Sequence, residues 1–209
     1  VLDEADRMMD MGFLPDITRI ISLLPPKRQN LIFSATIPDE IVKLSKQFVH
    51  DPVHIQIGHK TSTAAGIRHA VYPVANEQKT ELLLKLLRSQ DMRNSSVIIF
   101  TRTKHNADRL TQSLGRANMR VAVLHGDKTQ EHRHRALDRF KEGKIQILVA
   151  TDVAARGLDV KDVSHVINFE VPHTPEDYIH RSGRTARAEA TGDAFSLVSP
   201  DEEEMLKEI

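Results

Sequence analysis

The chain has 209 residues, 40% of them hydrophobic and 28% charged, with 29 Lys+Arg against 29 Asp+Glu and no cysteine. That composition excludes a disordered tail, a collagen and a polytopic membrane protein, and the missing cysteines exclude a disulfide scaffold, a Cys-ligated zinc site and a thiolate nucleophile. No run of about 18 apolar residues occurs, and the chain opens on Val1-Leu2-Asp3-Glu4 with no signal-type region, so a reducing, cytoplasmic setting is expected.

The opening reads as the end of a strand, two apolar residues followed by Asp3-Glu4-Ala5-Asp6, which suggests a piece of a longer parent. Acids crowded at a strand tip suit Mg²⁺, a hard cation with oxygen ligands, although acids are also ordinary in the first turn of a helix. Apolar residues follow at Ile17, Ile20, Ile21 and Leu24; a short strand is expected at residues 31–33, a helix over 39–49 and a strand over 53–57. Residues 58–66, framed by glycines and lacking any bulky apolar side chain, read as a linker. The chain therefore divides into residues 1–57, a linker 58–66 and residues 67–209.

After residue 66 the pattern becomes regular. Strands are expected at 67–74, 97–100, 121–124, 145–150, 165–169 and 194–198. Amphipathic helices fall between them around 81–87, 106–117 and 129–140. This alternation predicts an α/β fold with a parallel sheet and crossover helices. In such a sheet ligands bind beyond the carboxyl ends of the strands. There the sequence places Thr101-Arg102-Thr103-Lys104, His125-Gly126-Asp127 and Thr151-Asp152, tips that could receive phosphate or simply cap helices.

Charge is unevenly spread. Residues 101–144 carry 11 basic against 5 acidic residues, a net of +6, while residues 145–209 carry 6 against 13, a net of −7. A basic stretch of this kind can meet phosphates or can be a solvated helix face.

Thr174-Pro175-Glu176-Asp177 is a strong helix start, and a helix running on from it sets His180, Arg184 and Arg187 on one face at i, i+4 and i+7. Aligned cations favour an anion such as a triphosphate; salt bridges to Asp177 or Glu189 are the alternative. No Gly-x-x-x-x-Gly-Lys-Ser/Thr phosphate cradle is present. His50 and His54 are separated by Pro52 and offer no metal site, His132 and His134 are expected to face solvent, and Asp201 to Glu204 read as the acidic first turn of a short terminal helix.

Taken in order, these strings resemble the DEAD-box family of ATP-dependent RNA helicases over nearly the whole chain. Asp3-Glu4-Ala5-Asp6 is similar to the name-giving motif, Ser34-Ala35-Thr36 to the motif linking hydrolysis to strand separation, and Phe100 to Lys104 to motif IV. Gln130-Glu131-His132-Arg133 is similar to the Gln-x-x-Arg element, Thr151 to Asp159 to motif V, and His180 to Arg187 to motif VI. The resemblance implies a RecA-like (P-loop NTPase type) fold, with a complete C-terminal helicase domain over 67–209 and the C-terminal part of a first RecA-like domain over 1–57.

The resemblance further implies ATP and Mg²⁺ as cofactors. Asp3 would hold the metal through water, Glu4 would orient the attacking water, and Gly157 and Asp159 would bind ATP. Arg184 and Arg187 would neutralise charge on the γ-phosphate, a role worth about 10³ to 10⁵ in rate. His180 would couple motif VI to Asp6, Ser34 and Thr36. Arg102, Gly126, Arg133 and Thr151 would contact the RNA backbone without reading bases. Implied partners are RNA and the upstream part of the chain's own first domain, and the style of the motifs suggests a bacterial source. A non-enzymatic RNA-binding or partner-docking module, and a DNA helicase on the same fold, are the rival readings.

Overall fold

The computed structural model describes the chain except for residues 11, 35–36, 38, 50, 56–65, 156–159, 161–162 and 186–190, and the side chains of Arg7, Asp10, Asp39, Glu40, Leu44 and Gln47. The chain forms two compact units, Val1–Thr61 and Ser62–Ile209.

The first unit contains α1 (Ala5–Asp10), α2 (Leu14–Ser22) and α3 (Asp39–Phe48). The strand expected at residues 31–33 is reduced to a single parallel bridge between Leu2 and Ile32, with Leu2 N donating to Leu31 O and Phe33 N to Leu2 O, each at 2.8 Å. The strand expected over 53–57 is not formed at 53–55. Pro52 removes a donor there, and Val53 and Ile55 stand 85% and 81% exposed; Ile57 lies outside the described residues. Of the apolar stripe on α2 only Ile17 is buried, while Ile20 and Leu24, with neighbouring Phe13, Leu14 and Leu23, face solvent.

The second unit is a sheet of β1 (Ile67–Pro73), β2 (Val97–Thr101), β3 (Val121–Leu124), β4 (Ile147–Thr151), β5 (His165–Asn168) and β6 (Gly192–Val198), in the order β1-β6-β5-β2-β4-β3, with every pairing parallel. Between and after the strands come α4 (Lys79–Arg88), α5 (Lys104–Arg116), α6 (Gln130–Lys141), α7 (Asp152–Ala155), α8 (Pro175–Ser182) and α9 (Glu203–Glu208). β2 shows why the sheet is a middle layer. Its residues alternate, so Val97 and Ile99 pack with Leu83 and Leu87 of α4 and Leu110 and Leu114 of α5, while Ile98 and Phe100 pack with Ala136 and Phe140 of α6. Each fully buried Leu or Ile in these layers contributes about 1.5–3 kcal/mol.

The helix starts are set by hydroxyl caps. Thr103, Thr129 and Thr174 accept from the amides of Asn106, His132 and Asp177 at 3.1, 3.3 and 3.2 Å. Of the linker expected at 58–66, residues 58–65 lie outside the described residues. Gly66 has φ 106°, a conformation glycine adopts without strain, and its carbonyl receives the Gly192 amide at 3.1 Å.

One helix departs from expectation in a way that matters for function. The helix from Thr174 stops at Ser182, so Arg184 does not extend the helical face that carries His180, and Arg187 lies outside the described residues. Thr185 is drawn out of the helix by a parallel bridge to Val163: its hydroxyl donates to Val163 O at 2.5 Å, and Val163 N donates to Arg184 O at 3.3 Å. Tertiary pairing outweighs the local helical pattern here.

Candidate functional site

In the first unit the backbone gathers the acidic string against residues 31–34. Ala5 N donates to Phe33 O at 3.0 Å, and the Asp6 amide donates to the Ser34 hydroxyl at 3.1 Å, which brings two of the expected coupling residues together. The third, Thr36, lies outside the described residues. Glu4 has φ 51°, a left-handed conformation that a non-glycine residue rarely adopts, while its carbonyl already receives Met8 N at 3.2 Å as α1 begins. Glu4 is thereby held in a sharp turn between strand tip and helix. Asp3 is exposed, and its carboxylate accepts the Glu4 amide at 3.0 Å.

In the second unit the register of the parallel strands aligns the polar tips. Thr101 pairs with Thr151, and Leu124 with Ala150, so Arg102, Thr151 and the residues after Leu124 stand along one carboxyl rim. Gly126 is exposed at this rim, and a β-carbon there would meet no atom within 4 Å. Thr151 is buried, 8% exposed. Arg133 on α6 reaches across to α7, donating from Nη2 to Ala154 O at 3.2 Å, while its Nε is buried without a hydrogen-bond partner. Around Gly126, Lys104 pairs with Asp127 at 2.8 Å and Lys128 with Asp108 at 2.9 Å. Burial works against ionisation of Asp108, yet its hydrogen bonds to Lys128 and His125 prevail and hold its carboxyl below the usual range.

Arg102 is itself engaged. Nη2 lies 3.1 Å from Glu202 and 3.8 Å from Glu170, and Glu170 also accepts the Arg102 amide and Asn106 Nδ2, each at 2.8 Å. This guanidinium is fixed before any ligand arrives.

The residue that sequence reading missed is Arg181. It is 1% exposed, and its guanidinium forks onto Asp152 at 2.7 and 2.8 Å. Nη1 donates to Asn168 Oδ1 at 3.0 Å and to Glu170 O at 2.8 Å, and the group lies 5.1 Å from the Phe100 ring centroid. Arg181 thus ties α8 to the tips of β2, β4 and β5. Its neighbours His180 and Arg184 are partly buried at the end of α8, with Arg184 toward Val163 at the amino side of β5, away from the carboxyl rim. The structure therefore separates the four expected RNA contacts, which share the rim, from the segment carrying Arg184. Gly157, Asp159 and Arg187 lie outside the described residues.

Among the described residues no group of three or more His, Asp or Glu could hold a metal ion, and no helix is long and apolar enough to cross a membrane.

Comparison with known proteins agrees with this architecture. The profile described as helicase conserved C-terminal domain matches residues 78–189, more than half of the chain, and that described as DEAD/DEAH box helicase matches residues 1–44. The DEAD-box ATP-dependent RNA helicase CshA of Bacillus licheniformis is 44% identical over 209 residues, covering 100% of this chain and 42% of the relative. DEAD-box ATP-dependent RNA helicase 40 of Arabidopsis thaliana is 49% identical over 199 residues, 94% of this chain and 18% of the relative. The structure of S. cerevisiae Dbp5 bound to RNA and ADP BeF3 matches with a TM-score of 0.86 at 32% identity, covering 99% of this chain and 55% of that one. The chain belongs to the DEAD-box helicase family. It spans less than half the length of these two relatives.

Proposed function

We propose that the chain is the RNA-gripping, arginine-bearing part of an ATP-dependent RNA helicase, a longer protein whose RNA-stimulated ATP hydrolysis drives local unwinding or remodelling of RNA. The observation that carries this reading is the strand register that sets Arg102, Gly126 and Thr151 along one carboxyl rim, with Arg133 leaning over it from α6. Hydroxyl, guanidinium and an open glycine suit a sugar-phosphate backbone approached without reading its bases.

On the ATP side, Glu4 orients or deprotonates the attacking water, Arg184 and Arg187 neutralise charge on the γ-phosphate, and Gly157 and Asp159 hold the nucleotide. His180 transmits the state of the nucleotide site to Asp6, Ser34 and Thr36. Mg²⁺ fits the donor set as a water-bridged ion on Asp3. No carboxylate cage surrounds that residue among the described ones, and Mg²⁺ is commonly held by one or two carboxylates with substrate phosphates. Bound there, the ion would neutralise charge building on the phosphates.

The exposure of apolar residues in the first unit, among them Ile20, Leu23 and Phe33, supports the reading that an upstream part of the first RecA-like domain would cover them. Residues 1–57 and 67–209 are then the domain pieces, joined by 58–66. A cytoplasmic setting accords with the absence of cysteine. Relatives from Bacillus support a bacterial source, and plant relatives match at similar identity.

The test is the salt dependence of single-stranded RNA binding. Each phosphate contact contributes about 0.7 to the slope of log K against log salt for a single strand. Arg102→Ala and Arg133→Ala are each expected to reduce the slope by about that amount and to weaken binding to all sequences alike. Unchanged slopes in both variants would overturn the rim assignment.

A further inference from the structure

The acidic run at the end of the chain contains one carboxylate that does not behave as a surface helix turn. Glu202 is 1% exposed and faces Lys79, also 1% exposed, in a direct ion pair. Its Oε1 lies 3.1 Å from Arg102 Nη2 in an ion pair and receives Val171 N at 3.2 Å, and its Oε2 receives Ser199 N at 3.2 Å and Ser199 Oγ at 3.0 Å as well as Lys79. Lys79 Nζ in turn donates to Phe169 O at 3.0 Å. The pair therefore joins the first residue of α4, the tip of β2, the segment after β5 and the residue after β6, all at the carboxyl rim.

A buried ion pair is seldom worth more than an apolar pair of the same size, because desolvation offsets the attraction. What it supplies is geometry, and the surface feature whose geometry it fixes is Arg102. We infer that Lys79 and Glu202 are positioning residues for RNA binding. The carboxylate of Glu202, itself locked by Lys79, Val171 and Ser199, holds the Arg102 guanidinium in one orientation at the rim, so that little rotamer freedom is lost when a phosphate is met. This inference rests on the reading of the rim as an RNA-binding surface. Neither residue is within the motifs that carry the family resemblance.

The informative variant is Lys79→Met with Glu202→Gln. Removing one charge of each sign leaves the net charge of the rim unchanged and replaces a buried pair together, which proteins often tolerate. Binding of an oligouridylate to the longer protein is measured across a salt series, beside the parent, Arg102→Ala and the variant combining all three changes, with the folded state of each verified by its unfolding temperature. Releasing one rotamer-rich side chain is expected to weaken binding about two- to tenfold. The slope should stay near the parent's, because the released guanidinium still meets the phosphate, whereas Arg102→Ala lowers it by about 0.7. The variant combining all three changes should bind no more weakly than Arg102→Ala alone.

A folded Lys79→Met, Glu202→Gln protein with the parent's affinity would overturn the inference, as would losses that simply add in the combined variant. Should the paired variant not fold, Arg102→Lys decides. It keeps the charge but loses the guanidinium whose Nη2 meets Glu202, and RNA binding equal to the parent's would overturn the positioning role. An unchanged slope in Arg102→Ala itself would instead refute the RNA reading of the rim, and the inference with it.

Discussion

Replacing Arg181 by Met tests whether the strand tips are held together by one buried guanidinium. The side chain is 1% exposed and makes four hydrogen bonds, two to Asp152 and one each to Asn168 and the Glu170 carbonyl. Met fills similar space but leaves the mostly buried Asp152 carboxylate and the buried Asn168 amide oxygen without this donor. Breaking a buried pair from one side costs about 3–5 kcal/mol, and for a unit of this size each kcal/mol lowers the midpoint by about 2–4 °C, giving a fall of about 6–20 °C. The chain has no Trp, and its two Tyr residues, Tyr72 and Tyr178, both lie in the second unit, Tyr178 on α8 itself. Tyrosine emission on heating therefore follows this unit alone. Arg181→Lys should recover little, because an ammonium cannot fork onto Asp152 while also reaching Asn168. A loss below about 1 kcal/mol, or full recovery with Lys, would refute the reasoning.

Two further outcomes follow from the rim and the sheet. Gly126→Val should leave the unfolding temperature nearly unchanged, since nothing lies within 4 Å of a β-carbon there, yet weaken RNA binding by obstructing the backbone's approach; equal affinity would show that RNA does not come close to residue 126. His165 is held below its ordinary value of 6.5, chiefly by burial and further by Arg68, with Asp193 and Asp91 opposing. The unfolded chain therefore binds the proton more readily, and stability present above pH 6.5 is lost as pH falls through that value toward the lower folded one. The tyrosine-monitored midpoint should drop on acidification, and His165→Asn should flatten that dependence; an identical pH profile in the variant would exclude His165 as its source.

What could be read from the sequence was what local pattern encodes. Val121 to Leu124 is a strand by composition and forms β3 over the same residues, and Thr174 caps α8 as its string Thr174-Pro175-Glu176-Asp177 predicts. The end of α8 was not legible: the string through Arg187 keeps helical spacing, but Thr185 pairs with Val163, 22 residues earlier. The buried roles of Lys79 and Glu202 depend on a contact across 123 positions, and from the sequence Glu202 looks like any other acid in a helix-opening run. Arg181 escaped for the same reason, since its partners Asp152 and Asn168 come from two different strand tips. In the first unit, the α2 stripe was legible as amphipathic, but periodicity does not say what the stripe packs against.

The proposed function requires RNA-dependent ATP turnover to pass through Arg184 and Arg187. The most direct measurement is ATP hydrolysis with and without single-stranded RNA by the longer protein, as wild type and with Arg187→Ala, beside RNA binding by both. RNA-stimulated turnover is expected in the wild type, with loss of that stimulation in Arg187→Ala and nearly equal RNA binding. Turnover indifferent to RNA in the wild type, or undiminished in Arg187→Ala, would contradict the proposed function.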